Sequence, residues 1–180
     1  MVKSSRITSV GGNFVHIVSY QPEIKFLFVY VFGDLHGAET DDAILAFMKE
    51  NTEEALGLSG IVVDARELTS ADLSDTDGAR VSQFELDART SLGLDRQGLF
   101  ALMKRLKIVR LVDEDSQACR IYLQRIERTT AALGVYSDNR KVFDDSFRNL
   151  STPEEVAEFT GLDAALLRKV LGSLKEEAAR

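Results

Sequence analysis

The residues best equipped for chemistry stand together at Gly33-Asp34-Leu35-His36-Gly37, where a carboxylate and an imidazole directly follow an apolar run. These are the ligand types of a two-metal hydrolase. Such a centre needs several carboxylates and about three or more imidazoles to hold two cations a few ångströms apart. The chain has two histidines, and the second, His16, falls in a separate β-prone run. A metal-free turn is therefore expected, in which Gly33 and Gly37 let a strand pass into a helix while Asp34 and His36 face solvent.

A second polar concentration runs from Thr69 to Gly78. Asp75-Thr76-Asp77-Gly78 has the flavour of a calcium loop, but Leu73 stands where the first ligand belongs and Phe84 where the bidentate Glu belongs. Ser74 forms no triad with either histidine, and there is neither a glycine-rich phosphate loop nor a CxxC pair. What this stretch offers is hydroxyls and carboxylates. Ser70, Asp72, Ser74, Asp75, Thr76 and Asp77 make a candidate phosphoacceptor or partner-binding loop, with Asp34, His36 and Glu39 as its neighbouring loop. The same residue types also suit a solvated turn and a helix cap, and both readings stand at this point.

The surrounding pattern predicts what must position these groups. Arg6 to Val10 and Phe14 to Tyr20 flank Gly11-Gly12-Asn13 as a hairpin. Ile24 to Phe32 is aromatic and β-branched, as expected of a central strand covered on both faces and ended by Gly33. Thr40 is placed to cap one helix carrying Ile44, Phe47, Met48, Ala55 and Leu56, closed by Gly57. Gly60 to Ala65 reads as a second inner strand and Lys107 to Asp113 as a third. Between them, Val81, Phe84 and Ala88 mark one helix and Leu99, Phe100, Met103 and Leu106 another, separated by Gly93. Asp115 caps a long helix through Leu133 with Cys119 on its apolar face, which makes that thiol a small core residue. Lys141 to Phe143 reads as an edge strand. Thr152-Pro153-Glu154-Glu155 is a capping box, Gly161 stops that helix, and Asp163 caps a last one with the stripe Leu167, Val170, Leu171 and Leu174. Strands alternating with helices predict an α/β fold: a mostly parallel central sheet, an N-terminal antiparallel hairpin, helices on the sheet and an extra C-terminal helical pair.

Composition narrows the function classes. With 180 residues and 44% hydrophobic content, one domain over 1–180 is expected, with 151–180 as a helical extension. The lone Cys119 excludes an internal disulfide, and Met1 to Ser9 lack the apolar core of a secretory signal, so a cytoplasmic location is expected. Phe26 to Phe32 is too short to span a bilayer, so no membrane insertion is expected. A net charge of −7 opposes the phosphates of nucleic acid. No cofactor is expected, and the apolar stripe of the last helix, with little core left to cover it, is expected to pack on the domain edge or to make a homodimer contact.

Three resemblances accompany this reading. Gly33 to Gly37 resembles the first metal-binding block of calcineurin-like metallophosphoesterases, but the later blocks of that family are absent. Glu154 to Leu174 resembles a DNA-binding helix-turn-helix, with Ala157 and Gly161 at the small-residue and turn positions. Over Ser151 to Arg180, however, four basic residues face six acidic ones, and Asp163, Ala164 and Ala165 would open the recognition helix without a base-reading side chain. As a whole the chain resembles the SpoIIAA-like branch of the STAS superfamily, the anti-sigma-factor antagonist fold. Phe28 to Gly33 with Glu39 to Lys49, Ile61 to Leu68, and Phe147 to Leu150 with Glu154 to Phe159 carry that likeness. It implies helices on one side of a sheet and a non-enzymatic regulatory or ligand-binding module working through loops at the carboxyl ends of the strands. It also implies a protein partner, or a small apolar ligand of the kind held by lipid-carrying CRAL-TRIO folds. Regulatory STAS domains carry a phosphorylated serine in a DSSG-type motif after the second inner strand. Asp72-Leu73-Ser74-Asp75 keeps its Asp and one Ser, and Asp75-Thr76-Asp77-Gly78 keeps its Asp and Gly.

Overall fold

The computed structural model describes residues 3–8, 14–35, 39–72, 78–132 and 145–180. Among the described residues, six strands lie in one sheet in chain order: β1 (Lys3–Thr8), β2 (Phe14–Gln21), β3 (Phe26–Leu35), β4 (Gly60–Ala71), β5 (Lys107–Leu111) and β6 (Phe147–Leu150). The pairings β1/β2 and β2/β3 are antiparallel, and those from β3 to β6 are parallel. The helices among the described residues are α1 (Glu39–Glu50), α2 (Thr52–Leu56), α3 (Gly78–Leu92), α4 (Arg96–Arg105), α5 (Gln117–Ala132), α6 (Pro153–Thr160) and α7 (Ala164–Ala178). The expected α/β class and the N-terminal antiparallel pairing are both present.

Parallel strands laid down in chain order need crossovers of one hand, which put successive helices on one face. The apolar residues of α1 to α5, among them Ala43, Phe47, Leu92, Leu102 and Tyr122, accordingly share a core with Leu27, Val29, Val31, Ile61 and Val63. The opposite face belongs to the carboxyl helices. Val156 of α6 and Leu167, Val170, Leu171 and Leu174 of α7 pack with Phe26, Phe28, Tyr30, Val62, Val109 and Leu111. This corrects two expectations. Helices cover both sides of the sheet, and the stripe on α7 that pointed to a homodimer is buried within the chain, with Leu167 wholly inaccessible.

Several boundaries also differ from the sequence pattern. β3 starts at Phe26 because Pro22 to Lys25 form a turn from β2, with Lys25 at φ 57°. Gly33 does not end β3; it sits inside the strand at φ 94°, and the strand continues to Leu35. The helix expected from Thr40 to Gly57 breaks at Asn51, whose side chain and backbone N–H both return to the Phe47 carbonyl. β4 runs six residues beyond Ala65 to Ala71, so Thr69, Ser70 and Ala71 belong to a strand rather than to a loop. Ser116, not Asp115, meets the first turn of α5, its Oγ accepting from the Cys119 N–H at 3.4 Å. The strand expected at Lys141 to Phe143 lies outside the described residues; β6 is Phe147–Leu150, part of the block expected to lead into a helix. The capping box at Thr152 and Glu155, the left-handed Gly161 and the Asp163 cap are all present.

Candidate functional site

β4 outruns β5, and the site lies at that step. β5 pairs with β4 as far as Asp64↔Leu111, after which β4 continues beside β3 alone. Val112 gives its N–H to the Leu150 carbonyl, and the chain then turns away through Asp113, Glu114 and Asp115 into α5. The gap between the extended part of β4 and this turn, roofed by α7 and the start of α6, is a cleft of about 720 Å³. Open α/β sheets gather binding residues at this carboxyl edge.

An irregularity in β4 arms the cleft. From Tyr30 to Phe32 β3 advances two residues, whereas β4 advances three, from Asp64 to Glu67. Strict alternation would send Asp64 and Glu67 to opposite faces; the extra residue brings both, with Arg66, to the α7 side. Asp64 is 3% exposed. Arg66 holds it bidentately, Nε to Oδ1 at 2.9 Å and Nη2 to Oδ2 at 2.7 Å, and Asp64 in turn raises the guanidinium pKa. Beside this pair the Tyr30 hydroxyl donates to Glu67 Oε2 at 2.8 Å, and Lys175 of α7 binds Glu67 Oε1. Burial, and then the Glu67 carboxylate, push the Tyr30 phenol far above its ordinary value. Burial alone would raise Glu67, but the hydrogen bonds from Lys175 and Tyr30 outweigh it and hold the carboxyl below its ordinary value. On the rim, Arg168 grips Glu154 through Nε and Nη2, which lowers the Glu154 pKa.

The candidate residues from the sequence divide. Asp34 and Ser70 face each other across β3 and β4, further along the same strands. Asp34 Oδ1 accepts from Thr69 Oγ1 at 2.6 Å and from Ser70 Oγ at 2.8 Å. A second irregularity makes this convergence, since β3 moves from Gly33 to Asp34 while β4 moves from Leu68 to Ser70. Asp72 closes the strand end by giving its N–H to the Leu35 carbonyl, and its carboxylate lies 3.9 Å from the buried Arg125. Glu39 opens α1. His36, Ser74, Asp75, Thr76 and Asp77 lie outside the described residues. Asp34 is thus occupied by two hydroxyls, and His16 is buried on β2, paired with Val31, where desolvation lowers its pKa. Among the described residues no group of His, Cys, Asp and Glu could hold a metal ion, and no helix is long and apolar enough to cross a membrane. The two α7 cations nearest the cleft, Arg168 and Lys175, are engaged by carboxylates, and the apolar face of α7 lies on the sheet.

Sequence reading gave no binding role to Tyr30, Glu67, Asp113 to Asp115, Arg168 or Lys175. Arg66-Glu67 directly after a strand apolar but for Asp64 was the signal that could have found two of the cleft's residues.

No family model matches the chain, and no curated protein does. Among solved structures the chain is similar to the anti-sigma factor antagonist SpoIIAA in its unphosphorylated form, with 13% identity over 78% of this chain and 92% of that one and a TM-score of 0.37.

Proposed function

We propose that the chain is a non-enzymatic regulatory module that recognises a protein partner along the carboxyl edge of β3, β4 and β5. The observation that carries this reading is the set of paired side chains in the cleft, Asp64 with Arg66 and Glu67 with both Tyr30 and Lys175. The Tyr30 phenol is held protonated and Glu67 ionised, their pKa values displaced away from neutrality. General acid–base catalysis asks for the opposite displacement, toward the working pH. Asp64, Arg66 and Lys175 are likewise locked in pairs, an arrangement suited to a shaped, pre-organised surface. Next to it, Asp34, Thr69 and Ser70 add an accessible hydroxyl and carboxylate group at the same edge. An apolar ligand finds no match in a cleft lined mainly by charged side chains.

A photo-reactive amino acid placed at exposed Thr69, and separately at Glu50 on the opposite edge of the sheet, tests the assignment in cells that make the chain. A discrete adduct from position 69 and none from position 50 is expected. Equal adducts from both positions, or none from either, would remove the reading.

A further inference from the structure

We infer that the cleft between β4, the Asp113 to Asp115 turn and α7 receives a lysine- or arginine-bearing segment of the protein partner, an inference that rests on the docking role proposed above. The first support is charge. Each cation of the cleft already carries its own carboxylate: Arg66 has Asp64, Lys175 has Glu67 and Arg168 has Glu154. The turn on the other wall is different. Asp113 Oδ1 accepts the Asp115 N–H at 3.0 Å and so shapes the turn, while Glu114 and Asp115 are exposed and have no ion pair among the described residues. Arg120, in the first turns of α5, is tied to the Glu114 carbonyl. One wall of the lining therefore carries negative charge that no described residue pairs, and the net charge of −7 on the chain adds to the attraction for a cation.

The second support is Gly172, which lines the cleft from the interior of α7. A glycine there costs roughly 1 kcal/mol relative to alanine. No packing demand explains it, because a Cβ at this position would meet nothing within 4 Å. What the missing side chain leaves is bare helix backbone facing the cleft, the feature expected where another chain approaches closely. The volume of about 720 Å³ suits one long side chain with its flanking backbone.

Fluorescence anisotropy with labelled hexa-arginine and hexa-glutamate peptides, at low and moderate salt, tests this on the intact chain. Hexa-arginine is expected to bind, and to bind about fivefold or more weakly to Glu114→Gln/Asp115→Asn and to Gly172→Leu. The control Glu23→Gln/Glu50→Gln, which removes the same charge at the far edge of the sheet, is expected to change binding less than about twofold. Gly172→Leu replaces glycine with a strong helix former, so an unchanged or raised melting temperature accompanies its loss of binding. Equal weakening by the control and the cleft double variant, undiminished binding by Gly172→Leu, or no binding of hexa-arginine overturns the inference. Binding of hexa-glutamate that Gly172→Leu abolishes also overturns it, while leaving the docking role itself in place.

Discussion

Glu67 reaches the cleft because β4 carries one residue more than β3 between the two rows it shares with Tyr30 and Phe32. Its depressed pKa makes it a pH-dependent contact between the sheet and α7. A carboxyl whose folded pKa lies below its ordinary 4.5 contributes stability that is complete above that value and is lost as pH falls through the folded pKa. Urea midpoints measured from pH 6 downward should therefore fall less steeply below about pH 4.5 for Glu67→Gln than for the native chain. Parallel curves would show that the Lys175 and Tyr30 contacts do not favour the ionised form. Sequence reading could not place this residue, because alternation from Asp64 assigns Glu67 to the other face, and the slip in register depends on how β3 pairs with β4. Ser70 and Asp34 were legible as candidates by residue type alone. Their mutual contact was not, since it needs the second slip at Gly33.

Among the elements, the carboxyl caps and the starts of β4 and β5 were legible, whereas the Asp115 cap, the helix closed by Gly57 and the ends of β3 and β4 were not. The Thr152 capping box, Gly161 and the Asp163 cap are local hydrogen-bonding devices, and each holds in the structure. Gly33 reads as a strand end for the same local reasons, yet its positive φ serves a register slip inside β3. Gly60 shows the opposite dependence. It starts β4 between β3 and β5, where an added Cβ would lie 2.3 Å from Phe26 Cε1 and 2.5 Å from the Lys107 carbonyl oxygen. Gly60→Ala should cost about 1–3 kcal/mol, the usual range for overfilling a packed interior, read as a lowered denaturant midpoint with an unchanged slope. A midpoint equal to that of the native chain would mean that the β3–β5 strands part at little expense. The break at Asn51 has the same kind of cause, since Thr52 Oγ1 lies 3.3 Å from the Ser91 carbonyl of α3, a contact that no periodicity in α1 announces.

At the scale of the whole molecule, the carboxyl helices finish the sheet. An apolar stripe such as Leu167, Val170, Leu171 and Leu174 reads equally as a dimer contact, half of a DNA-binding motif or a core face, and what decides is its partner on β2 and β3, remote in sequence. Removal of 151–180 should therefore uncover Phe26, Phe28 and Tyr30, abolish a cooperative thermal transition and produce strong binding of a hydrophobic dye. A truncated chain that melts cooperatively without binding dye would show that the rest folds alone. The same arrangement sets an order of events on the ribosome. β3 leaves the exit tunnel early, and its α1-side face can be covered as each crossover helix follows it. The aromatic face has to wait for α7, and at ~5–20 residues per second that interval is on the order of ten seconds. During it, the nascent chain displays Phe26, Phe28 and Tyr30 as a sticky surface, which makes this segment a natural client for a chaperone that holds emerging chains.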